Sequence, residues 1–255
     1  MKENDKIPIA DVYFDLIKFE DLSEVIQFGL LSNEPKALHI HFANAWTVSI
    51  ANRSNELLSV LNQTDSMVIP DGKSIVIAAK LFRSRDKIAQ SRGPSFFREM
   101  IYNSKNPNLR HYFLGGTEAT LDKLTSIAAE QQLNLVGRFS PPFRQMTPDE
   151  REEMDLDIKN SKADVVWVGL GTPRQDFEAF SIARNLNTNA ICVGAAFDFL
   201  AGDLREAPKL IQKYGLEWLY RLLQEPRRLF SRYFFGIPHF IFVVISKGLI
   251  RKTKP

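Results

Sequence analysis

The amino-acid sequence predicts an α/β fold with a mainly parallel sheet flanked by helices. Short apolar runs alternate along the chain with amphipathic stretches of helical length, a pattern typical of parallel strands joined by crossover helices. Several of these runs end in glycine, proline or aspartate, as strands do where they open into loops. The last fifty residues differ from the rest and predict a helical appendage that is both basic and apolar.

Hydrophobic periodicity predicts the individual elements. Amphipathic spacing predicts helices over residues 118–131 and 148–161. Because ligands of open parallel sheets bind beyond the carboxyl ends of the strands, we expect the functional site among the loops that follow them. Continuous apolar stretches predict the buried strands at residues 37–42, 66–69, 111–114, 133–136, 164–168 and 190–194.

Composition is that of an ordinary globular protein, with 44% hydrophobic and 25% charged residues over 255 positions. The single cysteine, Cys192, excludes an intrachain disulfide and a cysteine-based zinc site, and it favours a reducing cytoplasm. The four histidines show no metal-ligand spacing, and the polar N-terminus lacks the apolar region of a secretory signal. We therefore expect a cytoplasmic protein without a metal centre.

Charge is distributed unevenly along the chain. Residues 205–255 contain eleven Lys/Arg and three Asp/Glu, whereas the first 204 residues are net acidic. A basic segment on an acidic body indicates an anionic partner such as a phosphate, a nucleic acid or an acidic lipid. A solvated basic face would give the same counts, although aromatic and aliphatic residues are interleaved with these charges.

The predicted appendage covers residues 208–255, after an α/β domain at residues 1–207. Residues 208–225 predict an aromatic-rich helix that Pro226 either interrupts or follows with a new helix. The apolar stretch Tyr233–Ser246 has 14 residues, fewer than the roughly 20 needed to span a bilayer. We expect an interfacial membrane segment, with a dimer or core contact and a membrane span as alternatives.

A glycine-rich turn, Gly169–Gln175, lies between a predicted strand and a predicted helix. Glycines let the backbone approach a phosphate, and a helix N-terminus offers free N–H groups and a favourable dipole. The turn lacks the third glycine of a dinucleotide fingerprint, because Arg174 stands in that position, so NAD and FAD are rejected. A turn required only for packing remains an alternative, and Gly115-Gly116-Thr117 is a weaker version of the same signal.

Two acidic motifs suggest different interpretations. Asp71 directly follows a predicted strand, where a carboxylate can accept a proton from a hydroxyl nucleophile, although Asp-Gly is also a common turn pair. Asp155 and Asp157 match the DxD pattern that holds a divalent metal in many sugar-nucleotide enzymes. Because they lie inside a charged helical segment, we interpret them as a solvated face and expect no metal there.

A cluster of arginines follows in the appendage. Guanidinium groups bind phosphates bidentately, so the cluster could hold a diphosphate, and nucleic acid is the competing anion. The apolar stretch beside the cluster favours a membrane over nucleic acid. The cluster and its interleaved aromatic residues are Arg221, Arg227, Arg228 and Arg232 with Trp218, Tyr220 and Phe230.

Three blocks in this order resemble the WecG/TagA/CpsF glycosyltransferase family: VVWVGLGTPRQDFEAF (165–180), CVGAAFDFLAGDLREAPKL (192–210) and GLEWLYRLLQEPRRL (215–229). The resemblance implies a Rossmann-like fold and inverting transfer of N-acetylmannosamine or a related hexose. The donor would be a UDP-sugar and the acceptor a polyprenyl-diphosphate-linked sugar, with no metal or other cofactor. It also implies an appendage that locates the enzyme at the inner face of the bacterial cell membrane.

Carried over residue by residue, the resemblance makes Asp71 the general base and places Asn44 near the sugar. The arginines Arg221 and Arg228 would stabilise the departing UDP diphosphate. The residues expected to bind the nucleotide sugar, beside Asn44, are Gly115, Gly169, Gly171, Pro173, Gln175, Asp176, Gly194 and Asp198.

The chain departs from the family pattern at several positions. Phe42 stands where threonine is usual, Ser95 where aspartate is usual, and Glu206 where arginine is usual, while Asp176 replaces the commoner glutamate. We expect catalysis to be retained because Asp71 is present, with the identity of the sugar and the acceptor left open. The alternatives are a transferase with a soluble acceptor and a non-catalytic nucleotide-sugar-binding subunit, and a homo-oligomer is possible.

Overall fold

The computed structural model describes residues 6–28, 37–82 and 88–252. The polar start of the chain and the last three residues of its basic end lie outside that description. The strands are β1 (Lys6–Ile9), β2 (Val12–Asp15), β3 (His39–Ala43), β4 (Ser66–Pro70), β5 (His111–Gly115), β6 (Leu135–Phe139), β7 (Val165–Gly169) and β8 (Asn189–Cys192).

Helices connect these strands and form the C-terminal appendage. The body helices are α1 (Phe19–Phe28), α2 (Ala45–Ala51), α3 (Asn55–Leu61), α4 (Lys73–Phe82), α5 (Gly93–Tyr102), α6 (Glu118–Glu130), α7 (Pro148–Ser161), α8 (Arg174–Leu186) and α9 (Ala196–Leu200). The appendage helices are α10 (Lys209–Tyr214), α11 (Glu217–Gln224) and α12 (Pro226–Lys252).

Strands β3 to β8 form one parallel sheet in the order β4-β3-β8-β7-β5-β6. The predicted α/β class is therefore confirmed, and all six predicted strands are present. The largest shift is in β6, which begins at Leu135 because Gln132 adopts a positive φ of 55° and ends the preceding helix in a turn. Strands β1 and β2, which the apolar pattern did not predict, form a separate antiparallel hairpin.

Both faces of the sheet are covered, which explains why its strands are continuous apolar runs rather than alternating ones. Trp167 and Phe113 pack on one face with Phe96 and Phe97 of α5, and all four side chains are buried. Alternate residues of the same strands, such as Tyr112 in β5, pack with α7 and α8 on the other face.

The appendage departs from its predicted helix boundaries. The single helix expected over residues 208–225 is two helices, because Gly215 takes a positive φ of 73° between α10 and α11. Pro226 begins a new helix, consistent with the preference for proline in a first helical turn. This helix, α12, continues through Pro238 to Lys252 and is the longest in the described chain.

Helix α12 packs against α2 of the body. A Cβ added to Gly236 would lie 2.6 Å from the Trp46 ring, so only glycine allows the two helices to approach this closely. Phe240, Val243 and Val244 are buried in one apolar cluster with the β1–β2 hairpin and β4. The appendage and the body therefore share a core, and their division at residue 208 remains a prediction from sequence.

One segment of α12, Pro226–Lys247, is long and apolar enough to cross a membrane by length and composition alone. This segment is longer than the apolar stretch Tyr233–Ser246 because α12 already begins at Pro226. About a quarter of its most apolar window, 28%, is buried inside the protein, on the side that contacts α2. Length therefore does not distinguish a span from an interfacial helix.

Candidate active site

Asp71 lies at the carboxyl end of β4, where backbone hydrogen bonds fix its position. The Asp71 N–H donates to the Ala43 carbonyl at 2.8 Å, and the Ser91 N–H donates to the Pro70 carbonyl at 2.9 Å. Gly72 has a φ of 104°, a conformation that side chains rarely allow, and it turns the chain directly into α4. The carboxylate is thereby directed out of the sheet edge.

Asn44 links the start of α2 to this carboxylate. It is the N-cap of the helix, and its Oδ1 accepts hydrogen bonds from the N–H groups of Trp46 at 3.0 Å and Thr47 at 3.3 Å. Its side-chain amide also hydrogen-bonds to Asp71. One asparagine thus satisfies the helix end and hydrogen-bonds to the Asp71 carboxylate.

The surroundings of Asp71 raise its pKa to about 6. Burial is the main cause and the negative charge of Glu217 is the second, while Arg92, Asn44 and Arg232 act in the opposite direction. At neutral pH the group is ionised, yet it is a stronger base than an ordinary carboxylate. That combination suits a group that accepts a proton from a hydroxyl.

Asp71 and Asn44 open onto a cavity of about 540 Å³ between the body and the appendage. The volume lies within the range of small-molecule sites in proteins. The wall of the cavity is formed by α2, α4, the segment before α5, and all three appendage helices. Its charged residues are Asp71, Lys73, Arg92, Glu217, Arg221 and Arg232.

Arg92 joins the body to the appendage beside Asp71. Its guanidinium forms ion pairs with Glu206 at 2.7 Å and with Glu217 at 2.8 Å, and Nη1 also donates to Gln212 and Ser95. The departures from the family pattern at Ser95 and Glu206 therefore meet at one arginine. Motif spacing did not indicate this network, because Arg92 and Ser95 lie more than a hundred residues from Glu206, Gln212 and Glu217.

Of the two predicted arginines, Arg221 lines the cavity and Arg228 does not. Arg221 lies over the Phe199 ring at 5.3 Å and pairs with Glu225 at 3.1 Å. Arg228 pairs with the same Glu225 at 2.8 Å and has an exposed side chain. Burial raises the pKa of Asp198, while Arg228 and Arg221 act to lower it, so this predicted residue lies near both arginines.

Arg232 belongs to the arginine cluster that the sequence predicted could hold a diphosphate, and it lines the cavity. Its guanidinium stacks over Trp46 at 5.7 Å and over Tyr233 at 6.0 Å. Its Nε is buried and has no hydrogen-bond partner among the described residues. The cavity therefore contains a guanidinium with an unused donor a short distance from the Asp71 carboxylate.

The predicted glycines form a second group, at the ends of β5, β7 and β8. Gly115 has a φ of 116°, and a Cβ there would lie 2.7 Å from the Gly169 carbonyl oxygen. A Cβ at Gly169 would lie 2.7 Å from the Phe197 ring. Gly194 lies beside the Gln175 side chain, and its φ is 59°. The glycines thus allow three loops to meet, and we call this group the loop cluster.

Gln175 holds the loop cluster together from within. Its Oε1 accepts a hydrogen bond from the Gly171 N–H at 3.0 Å, and its Nε2 donates to the Thr172 hydroxyl. Pro173 is the N-cap residue of α8, so the loop leads directly into the N-terminus of this helix. The structure therefore brings Gly115, Gly169, Gly171, Pro173, Gln175 and Gly194 together.

Asp176 lies beneath the loop cluster, with its side chain directed into the core. One carboxylate oxygen is 2.8 Å from His41 Nδ1, while the other has no partner in the described chain. His41 Nε2 is in turn 2.7 Å from His39 Nδ1. In this arrangement Asp176 supports the start of α8 from below rather than facing the open side of the loops.

His41, Asp176 and Cys192 could together hold a metal ion, since one ligand atom of each lies within 4.8 Å of the others. His39 and His41 are two residues apart on β3 and therefore share a face of the strand. Their close contact was not predicted from the sequence. All three residues of this group are buried, and hydrogen bonds already connect them.

The DxD residues are engaged separately on α7. Asp157 accepts a hydrogen bond from the Tyr112 hydroxyl, whereas Asp155 pairs with Arg151 on the same helix. Asp157 is exposed, in line with the predicted solvated face, but both carboxylates have side-chain partners that a solvated face did not predict.

Helix α9 connects the two groups of site residues. Phe197 packs against Gly169 in the loop cluster, and Phe199 lines the cavity beneath Arg221. The cavity and the loop cluster are thus neighbouring parts of one edge of the sheet. Three charged cavity residues were not predicted from the sequence: Lys73, Arg92 and Glu217.

The glycosyltransferase WecG/TagA/CpsF family model matches residues 7–254, almost the whole chain. The chain belongs to this family. Its members are glycosyltransferases of cell-surface polysaccharide synthesis, and they are typically membrane-associated. The chain is therefore a glycosyltransferase-family protein on a Rossmann-like α/β fold.

Proposed function

We propose that the protein is an inverting glycosyltransferase with Asp71 as its general base. It transfers N-acetylmannosamine or a related hexose from a UDP-sugar to a polyprenyl-diphosphate-linked sugar. The observation that carries this proposal is the Asp71 carboxylate, held by Asn44 at the wall of a cavity with its pKa raised to about 6. A carboxylate kept in so costly an environment is typical of acid–base catalysis.

In the proposed reaction, an acceptor hydroxyl donates its proton to Asp71 as its oxygen attacks the anomeric carbon. The bond from that carbon to the UDP oxygen breaks on the opposite face, so the configuration inverts. UDP leaves with the bonding electron pair, and the proton passes from Asp71 to solvent after the product departs. General-base catalysis of this kind contributes about 10²–10⁴-fold to the rate.

The loop cluster is the proposed donor site. Its glycines let the backbone approach a diphosphate, and the N-terminus of α8 supplies a favourable dipole. Arg221 and Arg228 lie across α9 from these loops and would neutralise the charge that develops on UDP. We propose that these guanidinium groups supply the positive charge that a divalent cation supplies in other sugar-nucleotide enzymes.

The proposed location is the inner face of the bacterial cell membrane. Most of the exposed large hydrophobic side chains in the described chain belong to the appendage, among them Phe230, Phe234 and Phe242. Basic residues lie on the same helices, so apolar insertion and attraction to acidic lipids act together. We propose that this surface brings Asp71 to acceptors that remain in the bilayer.

Release of UDP by the purified full-length protein tests the proposal. A panel of UDP-sugars is combined with a short-chain polyprenyl-diphosphate-sugar acceptor, with and without EDTA. We expect acceptor-dependent release with one donor, unchanged by EDTA. Loss of release in EDTA, restored by Mg²⁺ or Mn²⁺, would refute metal independence.

The same assay separates the alternatives. UDP binding without release for any donor and acceptor would favour a non-catalytic nucleotide-sugar-binding subunit. Equal turnover of acceptors with and without a lipid would favour a transferase that acts on soluble sugars. The first outcome would overturn the role of Asp71 and the second would overturn the proposed acceptor. Neither would affect the family assignment or the fold.

A further inference from the structure

The cavity beside Asp71 has two chemically different ends. Its inner end contains charged groups, whereas its outer end is a trench between α4 and α12 with apolar walls. On one side of the trench lie Ile77, Ala78 and Leu81, and on the other lie Ile237, Ile241, Val244 and Ile245. A site of this form fits an amphipathic ligand with an anionic head and an apolar chain.

The trench remains open although it is apolar. Ile77 and Leu81 of α4 are 55% and 65% exposed, and Ile241 of α12 is 49% exposed. Exposed apolar residues on adjoining elements are unusual unless they meet a ligand, a partner or a membrane. Because the trench leads directly from the cavity, its occupant must also reach the charged end near Asp71.

The inner end indicates the head group. Arg232 faces the cavity with a buried Nε that has no partner in the described chain, and Lys73 and Arg221 line the same wall. A guanidinium with a free donor in a partly desolvated place binds a phosphate oxygen strongly. The carboxylates of Glu217 and Asp71 are directed to Arg92 and Asn44, so a phosphate can approach Arg232.

We propose that this cavity is the acceptor-lipid site: Arg232 binds the diphosphate, and the trench between α4 and α12 holds the first isoprene units of the chain. This proposal rests on the proposed function, because it assigns the acceptor to the cavity and leaves the loop cluster to the donor. The rest of the lipid chain leaves the trench among the exposed apolar residues of α12 and enters the bilayer. The sugar that follows the diphosphate then lies beside Asp71.

Binding of diphosphates with isoprenoid chains of different length tests the proposal without turnover. The probes are inorganic diphosphate, geranyl diphosphate and farnesyl diphosphate, each below its micelle concentration and without detergent. Trp46 and Trp218 line the cavity, whereas Trp167 is buried in the core, so quenching of tryptophan fluorescence reports occupancy. We expect farnesyl diphosphate to bind at least about tenfold more tightly than geranyl diphosphate, because more apolar surface is buried.

Two variants on adjacent residues of α12 locate the chain. Ile241→Glu places a charge in the trench and should abolish the difference between the farnesyl and geranyl probes. Phe242→Glu is the matched control, because Phe242 is 67% exposed on the same helix and does not line the cavity. The control should retain the difference; an equal loss in both variants would mean non-specific adsorption and would overturn the proposal.

Arg232→Gln locates the head group. It should weaken all three probes by a similar factor and leave the dependence on chain length in place. Equal binding of the three probes by the wild-type protein would overturn the trench, and unchanged binding by Arg232→Gln would overturn the diphosphate contact. Thermal unfolding of each variant, compared with the wild type, shows whether the fold is retained.

The two proposals can fail separately. If UDP release requires an acceptor but the probes bind without regard to chain length, the glycosyltransferase proposal stands and the trench proposal is wrong. If farnesyl diphosphate binds as expected while no UDP-sugar is turned over, the trench stands as a lipid-diphosphate site and the transferase mechanism is wrong.

Discussion

The loop cluster and the cavity lie side by side on one edge of the sheet, yet they are built in different ways. The loop cluster is held by short-range contacts, such as the bond from Gly171 to Gln175, and by glycines at strand ends. The cavity is held by long-range ion pairs, such as Arg92 with Glu206 and Glu217. The difference teaches that the loop cluster is built by the body alone, whereas the cavity around Asp71 is complete only with the appendage docked.

Substitution of the base has the largest expected effect and tests the assignment of chemistry to the cavity. Asp71→Asn should lower kcat by about 10²–10⁴-fold, because an amide cannot accept the hydroxyl proton. UDP binding should remain close to that of the wild type, since the proposed donor contacts do not include Asp71. Turnover and calorimetric UDP titration of the same preparation check the two expectations. Unchanged turnover would show that Asp71 is not the base.

A single added methyl group should break the loop cluster. Gly169→Ala places a Cβ 2.7 Å from the Phe197 ring, and overpacking of this kind costs about 1–3 kcal/mol in the free energy of unfolding. UDP binding should fall with it, because Gly169 is at the meeting point of the loops. Chemical denaturation and UDP titration provide the measurement.

The matched control is Gly171→Ala, where the added Cβ meets nothing within 4 Å but the φ of 77° remains unfavourable. The expected loss is about 1 kcal/mol, from backbone strain alone. If both variants lost the same stability, contact between Gly169 and Phe197 would not be the reason for glycine at that position.

Removal of Arg228 tests whether the appendage also contributes to binding of the UDP-sugar. Arg228→Ala should raise the KM for the UDP-sugar about tenfold, because one charged contact to the diphosphate is worth roughly 1.5–3 kcal/mol and this side chain is partly screened by solvent. Arg227→Ala is the control, because Arg227 is also exposed on the same helix but does not act on the pKa of Asp198. A similar rise in both variants would indicate a general effect of charge.

The smallest expected effect is a shift in the pH profile. The kcat/KM of the wild type should fall as the pH decreases through about 6, because protonated Asp71 cannot act as a base. Glu217→Gln should move this acid limb to lower pH, since the negative charge of Glu217 helps to raise the pKa of Asp71. The gain should be visible at pH 5–6 and absent above pH 8, and an upward shift would contradict the electrostatic account.

Local patterns predicted the parts of the molecule that local interactions build. The six parallel strands follow from continuous apolar runs, and Asp71 and the glycine loops follow from their places at strand ends. The β1–β2 hairpin was missed because its strands, KIPI and VYFD, contain polar and partly exposed positions instead of a continuous apolar run. The break between α10 and α11 was missed because the aromatic pattern continues across Gly215.

Tertiary contacts determined the rest of the site. Arg92 and Glu217 meet beside Asp71 although 125 positions separate them, and no spacing rule connects them. Arg232 gains its importance from the fold, because only the packing of α12 on α2 places it over Trp46 and inside the cavity. For Asp176, the family motif predicted a contact with the nucleotide sugar, whereas in the structure its side chain hydrogen-bonds to His41.

The contact between Gly236 and Trp46 connects α12, through the first turn of α2, to the Asp71 carboxylate. Trp46 lies in the first turn of α2, and Asn44, which caps that turn, holds Asp71. If α12 inserts into the membrane and Asp71 is the base, as proposed above, then Gly236, Trp46 and Asn44 form a continuous path of contacts from the membrane segment to the base. The depth at which the helix is inserted would then help to set the position of the Asp71 carboxylate.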